Sequence, residues 1–303
     1  MTRAFSPLNR RQMIIGLSAL PLLAGGAAAG TVSDVTGSAV TASNVKRIVS
    51  IGSSVTEIIV ALGQASKLVA IDSTSATIEG AGGLPDVGYL RMLSAEGVLS
   101  QGPDLICATN DSGPPEVIDT LKQSGIPFAL IPQLPSIEGI LAKISLLGTL
   151  LDAEETARKV SDELKQKAQA LATQVAGYDG RKPRVLFILN HAEDRLIAGG
   201  ARTGAHTVIE LAGGENVAAA MTGYKPVAVE SLMDNQPDYI FMMTGGGLAP
   251  DPDKVFAHPA IANSPAAKNR ALRLFDGAYL LGFGPRTIAA AGELATFIHQ
   301  PAS

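Results

Sequence analysis

Tryptophan is absent from this 303-residue chain, and aromatic residues make up only 4% of it. A broad aromatic platform of the kind that stacks on sugars is therefore not expected. The single cysteine, Cys107, excludes an internal disulfide and any zinc or iron–sulfur site that needs several thiolates. Because Cys107 lies in the apolar run PDLICAT, we expect a buried thiol.

Charge is also sparse. Charged residues make up 17% of the chain and the net charge is −4, so no basic excess indicates binding to nucleic acid. Hydrophobic residues make up 46%, which is typical of a globular protein. The length fits one large domain or two of medium size.

Motifs for catalysis are missing as well. The sequence contains no G-x-S-x-G, no H-E-x-x-H and no phosphate-binding loop with Gly-Lys-Ser/Thr. The glycine-rich segments GGARTG and TGGGLAPD do not match a dinucleotide fingerprint that opens the first βα unit. Four scattered histidines do not predict a metal-dependent hydrolase, so the sequence does not favour an enzyme.

The first 29 residues differ from the rest. MTRAFSPLNRR is cationic, MIIGLSALPLLAGGAAA is apolar, and small residues at 27–29 suit cleavage, which together predict a secretory signal peptide over 1–29. The segment NRRQMI is similar to a twin-arginine export motif, and an uncleaved anchor is the alternative. We expect a periplasmic protein that is soluble after cleavage. Residues 30–44 are small and polar and predict a flexible leader.

From residue 45 onward, short apolar runs alternate with helical segments, which predicts parallel βα units. The first lobe is predicted at 45–150 and the second at 181–303. Residues 136–178 contain no proline and predict two consecutive helices. Of these, the charged amphipathic segment within 151–180 is predicted to be a single long helix that links the lobes.

An internal echo supports two similar lobes. The segments GYLRMLSAEGVLSQGPDLICAT and GYKPVAVESLMDNQPDYIFMMT share Gly-Tyr, then a glutamate, then Pro-Asp and an apolar strand. Ligands of open α/β sheets bind beyond the carboxyl ends of the strands, and clefts between lobes are common binding sites. The sequence therefore predicts an α/β fold with two βα lobes, one linking helix and a ligand cleft between the lobes.

These segments, together with LIAGGARTGAHTVIELAGGENV and LLGFGPRT, resemble the periplasmic substrate-binding proteins of ABC importers of the helix-linked, two-lobe class. That class carries vitamin B12, ferric siderophores and haem, and the resemblance covers residues 45–299. Gly88-Tyr89-x-Arg91 is similar to the haem-binding subgroup. The resemblance implies a monomer that captures ferric haem b and delivers it to a permease dimer in the inner membrane. A ferric-siderophore or cobalamin carrier is the alternative, and a periplasmic enzyme is a remote one.

The resemblance implies that Tyr89 is the axial ligand of the ferric iron. A phenolate is a hard oxygen donor, and bound iron favours its deprotonation. Arg91 could stabilise that phenolate or pair with a haem propionate. The alternative without a ligand is a packed tyrosine beside a solvated arginine. For a second axial ligand we favour His191, in the loop expected after the strand RVLFILN, with His206 or no second ligand as alternatives.

Other cleft residues follow by position. Ser53 and Ser54 start the first helix, where free N–H groups could hold a propionate or where the serines simply cap the helix. Arg202 is the corresponding candidate in the second lobe. Tyr224 and Lys225 echo the Tyr89 segment and are expected to line the far wall of the cleft.

Glu96 and Glu230 are expected to contact a partner protein, whereas Arg286 is expected to have another role. In this class, paired glutamates on the two lobes form salt bridges with arginines of the permease, and Glu96 and Glu230 occupy matching positions here. Such exposed pairs set orientation and association rate more than affinity. The alternative is a pair of solvated helix residues. Arg286, in GFGPRT, suits a structural role as well as a ligand contact.

Overall fold

The computed structural model describes residues 30–192, 195–245 and 250–299. The predicted signal peptide, residues 1–29, lies outside this part of the chain. In the ranges that are described, no helix combines the length and the hydrophobicity that a bilayer crossing needs.

Residues 30–44 form an ordered hairpin, so the predicted flexible leader is wrong. Strand β1 (Gly30–Ser33) pairs antiparallel with β2 (Ala39–Ala42). Val40 and Ala42 are buried in the core of the first lobe, and the Val35 N–H donates to the carbonyl of Leu130. The segment is polar on average, but its apolar side chains alternate along β2, and alternate strand positions share a face.

The first lobe is built on a four-stranded parallel sheet with the order β4-β3-β5-β6. Its strands are β3 (Ile48–Ile51), β4 (Leu68–Ile71), β5 (Leu105–Thr109) and β6 (Phe128–Ile131). Its helices are α1 (Ser53–Ala61), α2 (Ala95–Leu99) and α3 (Pro115–Gln123). The side chains of β5 are all buried, since helices cover both faces of a parallel sheet. Cys107 lies there as a free thiol, and burial raises its pKa to about 12.

Two helices, α4 (Ile137–Leu150) and α5 (Glu154–Ala176), occupy the chain between the two sheets, as the helical pattern of 136–178 predicts. Side-chain caps set several helix starts. The side chains of Ser94, Ser136 and Thr203 each accept a hydrogen bond from the N–H three residues later, at the starts of α2, α4 and the first helix of the second lobe.

The second lobe has a mixed sheet with the order β10-β8-β7-β11-β12, and β9 pairs with β7. Its strands are β7 (Arg184–Ala192), β8 (Arg195–Gly199), β9 (Glu215–Asn216), β10 (Tyr224–Pro226), β11 (Tyr239–Thr244) and β12 (Leu272–Asp276). Its helices are α6 (Gly204–Leu211), α7 (Val229–Asp234), α8 (Pro252–Ala257), α9 (Pro265–Lys268), α10 (Gly277–Leu281) and α11 (Thr287–His299). β7, β11 and β12 are parallel as expected. The antiparallel strands β8 and β10 were not predicted, because runs of three to five residues beside glycines carry little strand signal.

Helix α5 contacts α4 on one side and α6 and α11 of the second lobe on the other. It therefore touches helices of both lobes along its length. A role for residues 151–180 as the single rigid link stays a prediction.

A buried polar layer, called the interlobe seam, joins the lobes. Its centre is Gln133, whose Nε2 donates to the carbonyl of Gly282 in the second lobe at 3.0 Å. The Gln133 Oε1 accepts from Lys143 Nζ at 2.7 Å and from the Ser54 hydroxyl at 3.2 Å. The amide thus fixes the carboxyl end of β6 against the other lobe.

The second part of the seam is the pair formed by Glu57 and Arg286. The Arg286 N–H donates to Glu57 Oε1 at 2.6 Å, and its Nε lies 3.3 Å from Oε2. Burial raises the pKa of Glu57, and its contacts with Arg286 oppose that shift. A Cβ at Gly284 would lie 2.8 Å from this carboxylate, so the close approach of the lobes requires glycine there. The seam comprises Ser54, Glu57, Gln133, Lys143, Gly282, Gly284 and Arg286.

Lys143 makes the stability of the fold depend on pH. Its side chain is fully buried, and this burial lowers its pKa to about 7, against opposing effects of Glu57 and Asp111. In the unfolded chain the pKa is about 10.4. Between these values the unfolded chain binds more protons at this residue, so the contribution of Lys143 to the free energy of unfolding should rise from pH 7 to pH 10, by a few kcal/mol on the order-of-magnitude linkage relation.

Replacing Lys143→Met should remove most of that rise, which denaturant unfolding at pH 7 and pH 10 would measure. Lys165→Met on α5 is the matched control, because Lys165 is exposed. The interpretation is wrong if Lys143→Met and the native protein gain the same stability between the two pH values.

Candidate functional site

The loops at the carboxyl ends of the strands of both lobes meet around a gap beside the seam. On the first lobe these loops carry Asp72, Asn110, Asp111 and Gln133, which follow β4, β5 and β6. Tyr89 and Arg91 lie on the loop that precedes α2. These loops lie where a ligand of an open α/β sheet is expected, beyond the carboxyl ends of the strands.

Tyr89 lies on a loop that is held by backbone hydrogen bonds. Gly88 has a φ of +95°, a conformation that glycine adopts without strain. Its N–H donates to Asp86 Oδ1 at 2.7 Å, and its carbonyl accepts from the N–H of Ser73 at 3.0 Å. The N–H of Met92 closes a turn on the Tyr89 carbonyl at 2.7 Å. The ring, 39% exposed, is thus presented at the surface by a fixed backbone.

Arg91 links Tyr89 to a residue that sequence reasoning missed. Its Nη2 lies 2.7 Å from Asp111 Oδ2, and its Nη1 lies 3.5 Å from the Tyr89 hydroxyl. The hydrogen bond to Asp111 is the main cause of the raised pKa of Arg91. The only available signal for Asp111 was its place directly after the buried strand β5, where functional side chains often lie.

Tyr224 lies on the opposite side of the gap, on β10. Its ring contacts Phe187 edge-on, with centroids 6.1 Å apart. Burial raises the pKa of the Tyr224 phenol, against hydrogen bonds from the Ala205 N–H and with Thr203 at the start of α6. The positive charge of Arg91 also opposes this shift, so Arg91 and Tyr224 lie close enough to interact across the gap.

Two exposed cations lie on the second lobe. Lys225 is next to Tyr224 on β10 and pairs by its backbone with Ala198. Arg202 lies in the turn between β8 and α6 with a φ of +61°. Both side chains are therefore available to a negatively charged group that enters from solvent.

The structure corrects the expectation for the two histidines. His191 is not in a loop but in β7, where its backbone pairs with Leu196 of β8; its side chain lies outside the described part of the protein. His206 is half-buried on α6, with Nδ1 3.3 Å from Asn216 Nδ2 and Nε2 3.4 Å from Glu210 Oε1. Both ring nitrogens of His206 therefore already have protein partners.

Ser54 belongs to the interlobe seam, and Ser53 lies beside it. Ser54 is 1% exposed and donates to Gln133, so it is not available to a propionate as its position had suggested. Ser53 is half-buried, and a Cβ at Gly282 would lie 2.9 Å from its hydroxyl oxygen. The serines pack the lobes together because α1 starts at the contact between them.

Glu96 and Glu230 lie exposed in the first turns of α2 and α7. Each of these short helices precedes a buried strand, β5 or β11, as the sequence echo predicts. The two carboxylates therefore occupy corresponding places in the two lobes.

Two cavities, of about 350 and 420 Å³, lie away from this gap. One is between α4 and α5, and the other is between the hairpin and the end of α3. Over the described ranges, no group of three or more His, Cys, Asp or Glu side chains is arranged to hold a metal ion.

Known proteins share this fold and much of this sequence. A family model described as "Periplasmic binding protein" matches residues 48–279. A second model, a pre-toxin domain with VENN motif, matches residues 8–47, of which 8–29 lie outside the described residues.

Three relatives illustrate the similarity. The periplasmic haem-binding protein BhuT in complex with two haems is 32% identical, with a TM-score of 0.78 over 84% of this chain and 98% of that one. The periplasmic haem-binding protein HutB of Vibrio cholerae is 34% identical, with a TM-score of 0.75 over 84% and 99%. A vitamin B12-binding protein of Vibrio parahaemolyticus is 27% identical over 65% of this chain and 70% of its own length. The family match extends well beyond half of the sequence, and on this ground the chain belongs to the periplasmic binding protein family.

Proposed function

We propose that the protein binds ferric haem in the gap between its lobes, with Tyr89 as the axial ligand of the iron. The observation that carries this proposal is the pairing of an exposed phenol with a guanidinium on a fixed loop. A phenolate is a hard anionic oxygen donor that suits Fe(III). The haem-binding relatives at 32% and 34% identity support the same ligand class.

The other residues of the gap have distinct proposed roles. The ring of Tyr224 forms the opposite wall, while Lys225 and Arg202 supply positive charge for the propionates. His191 stays the proposed second axial donor by its place at the end of β7, since both nitrogens of His206 have partners. A five-coordinate iron held by Tyr89 alone is the competing arrangement.

Cobalamin is the second candidate ligand, because curated relatives from Vibrio and Yersinia with 26–28% identity are named vitamin B12-binding proteins. A cobalamin carrier has no need of a phenolate–iron bond, and neither has a carrier of ferric siderophores. Titration of the protein with hemin and with cyanocobalamin, each followed by calorimetry, separates these ligands. We expect the tighter binding for hemin.

The proposed physiological role is transport rather than catalysis. After export by its predicted signal peptide, the protein would bind haem in the periplasm as a monomer and deliver it to an ABC importer permease dimer. Glu96 and Glu230 would each contact one permease subunit, and this pairing would fix the orientation of docking.

The first prediction concerns the iron ligand. Hemin added to the native protein should give a tyrosinate-type ferric spectrum, and Tyr89→Phe should abolish it because the phenolate oxygen is lost. Tyr224→Phe, which removes a hydroxyl that already bonds to α6, is the matched control and should keep the spectrum. An unchanged tyrosinate spectrum in Tyr89→Phe would reject Tyr89 as the ligand.

A second prediction concerns motion. The hydrogen bond from Gln133 to Gly282 and the pair of Glu57 with Arg286 tie the lobes together, so ligand uptake should involve little rotation between them. Solution scattering with and without hemin should give nearly the same radius of gyration. A large decrease on binding would show hinge closure and contradict this expectation.

A third prediction concerns the permease. The double variant Glu96→Gln/Glu230→Gln should bind hemin normally but lose most of its stimulation of the cognate importer in reconstituted vesicles. Glu116→Gln is the control, since Glu116 is also exposed in the first turn of a helix, α3. Normal stimulation by the double variant would show that these carboxylates are ordinary solvated residues.

A further inference from the structure

We propose that Asp111 is a positioning residue that holds Arg91 beside Tyr89. In this position the guanidinium contacts the phenolic oxygen of Tyr89 rather than a propionate of the haem. The part of this inference that concerns haem rests on the proposed function. The part that concerns the arrangement of Arg91 is independent of any ligand.

The two loops that carry these residues are joined through their backbones. The N–H of Gly113 donates to the carbonyl of Leu90 at 2.9 Å, and the N–H of Leu93 donates to the carbonyl of Gly113 at 3.0 Å. Because these bonds lie on either side of Arg91 and end on a residue two positions after Asp111, the backbone brings the two loops close together. The ion pair therefore forms between groups that are already close.

The Asp111 loop is itself anchored to the seam. The N–H of Asn110 donates to the Ile131 carbonyl at 2.9 Å, and its Oδ1 accepts from the Gln133 N–H at 2.8 Å. The hydroxyls of Thr109 and Ser112 lie 3.2 Å apart and close the turn. The loop that carries Asp111 is thus held through Asn110 by the same residue, Gln133, that joins the lobes.

The geometry divides the donors of Arg91 between two acceptors. Nη2 is taken by Asp111 at 2.7 Å, and Nη1 faces the Tyr89 oxygen at 3.5 Å. Arginine binds a carboxylate most strongly when two N–H groups of its planar fork are free for it. With Nη2 engaged by Asp111 and Nη1 directed toward the phenol, fewer N–H groups of Arg91 remain for a propionate.

A simple surface ion pair would behave differently. Exposed pairs contribute little to stability, and Arg91 and Asp111 are 59% and 39% exposed. A role confined to the loop would change the thermal midpoint slightly and leave ligand release unaltered. A positioning role should change ligand release through Arg91 alone.

The experiment compares hemin dissociation from Asp111→Ala, Asp111→Asn, Arg91→Gln and Asp111→Ala/Arg91→Gln, by transfer to excess apomyoglobin. We expect release to be roughly tenfold faster in Asp111→Ala and in Arg91→Gln, the effect typical of losing a hydrogen bond to a charged group. Asp111→Asn should lie between these variants and the native protein, since its amide oxygen still accepts from the guanidinium. The double variant should release hemin no faster than Arg91→Gln, because Asp111 then has nothing to position.

Two outcomes of this comparison overturn the proposal. One is native release from Asp111→Ala, and the other is an equal effect of Asp111→Ala with and without Arg91. The thermal midpoint of each variant identifies any that has lost its fold, and Asp111→Asn, the least disruptive, then supplies the comparison.

A measurement on the ligand-free protein separates this inference from the proposed function. In ¹⁵N NMR spectra, rotation of the Arg91 guanidinium should be slow in the native protein and fast in Asp111→Ala. Equal rotation in the two proteins rejects positioning, whatever the ligand is. If rotation is slow in the native protein and fast in Asp111→Ala, positioning is supported. If the native hemin complex also lacks a tyrosinate spectrum, Tyr89 is rejected as an iron ligand while the positioning role of Asp111 stands.

Discussion

The side-chain amide of Gln133 fixes the position of the two lobes relative to each other. Gln133 follows the edge strand of the first sheet and donates across the seam to a backbone carbonyl of the second lobe. The oxygen of the same amide accepts from Lys143, which is fully buried. A buried polar group is costly when unsatisfied, so the arrangement is stable only while all of these partners stay in place. The lobes are therefore fixed in distance by a polar contact rather than by hydrophobic packing alone.

The candidate site depends on this contact through the loop after β5. Asn110 accepts a hydrogen bond from the backbone of Gln133, and the next residue, Asp111, pairs with Arg91. The residue that accepts from Gln133 and the residue that pairs with Arg91 are thus adjacent in the chain. This proximity gives the site a rigid base on the first lobe, where Tyr89 lies.

The sequence was sufficient to predict most helices and strands, but it was insufficient to predict the contacts between loops. The strand PDLICAT and the amphipathic segment around α5 follow from periodicity and length, and their positions in the structure agree with the expectation. The hairpin at 30–42 was missed because its apolar residues are small and alternate with serine and threonine. His191 was misplaced because nothing in RVLFILNHA marks where the strand ends.

The pairing of Arg91 with Asp111 was beyond sequence reasoning for a physical reason. The two residues are 20 positions apart, and their contact depends on two backbone hydrogen bonds between irregular loops. The role of Gln133 was hidden in the same way, since a glutamine in a loop carries no periodic signal. The periodicity of apolar residues indicates which side chains are buried and where helices and strands lie. Contacts between loops depend instead on the path of the backbone, which has no periodic signal.

The two tyrosines of the repeated Gly-Tyr segment ended in unlike surroundings. Tyr89 projects from a turn, whereas Tyr224 is part of a strand, and its oxygen is engaged by the start of a helix. The chain thus carries the same dipeptide twice, but the Tyr89 oxygen faces an arginine side chain whereas the Tyr224 oxygen is engaged by the start of a helix. A flat molecule placed between the two tyrosines would therefore meet chemically different groups on its two faces.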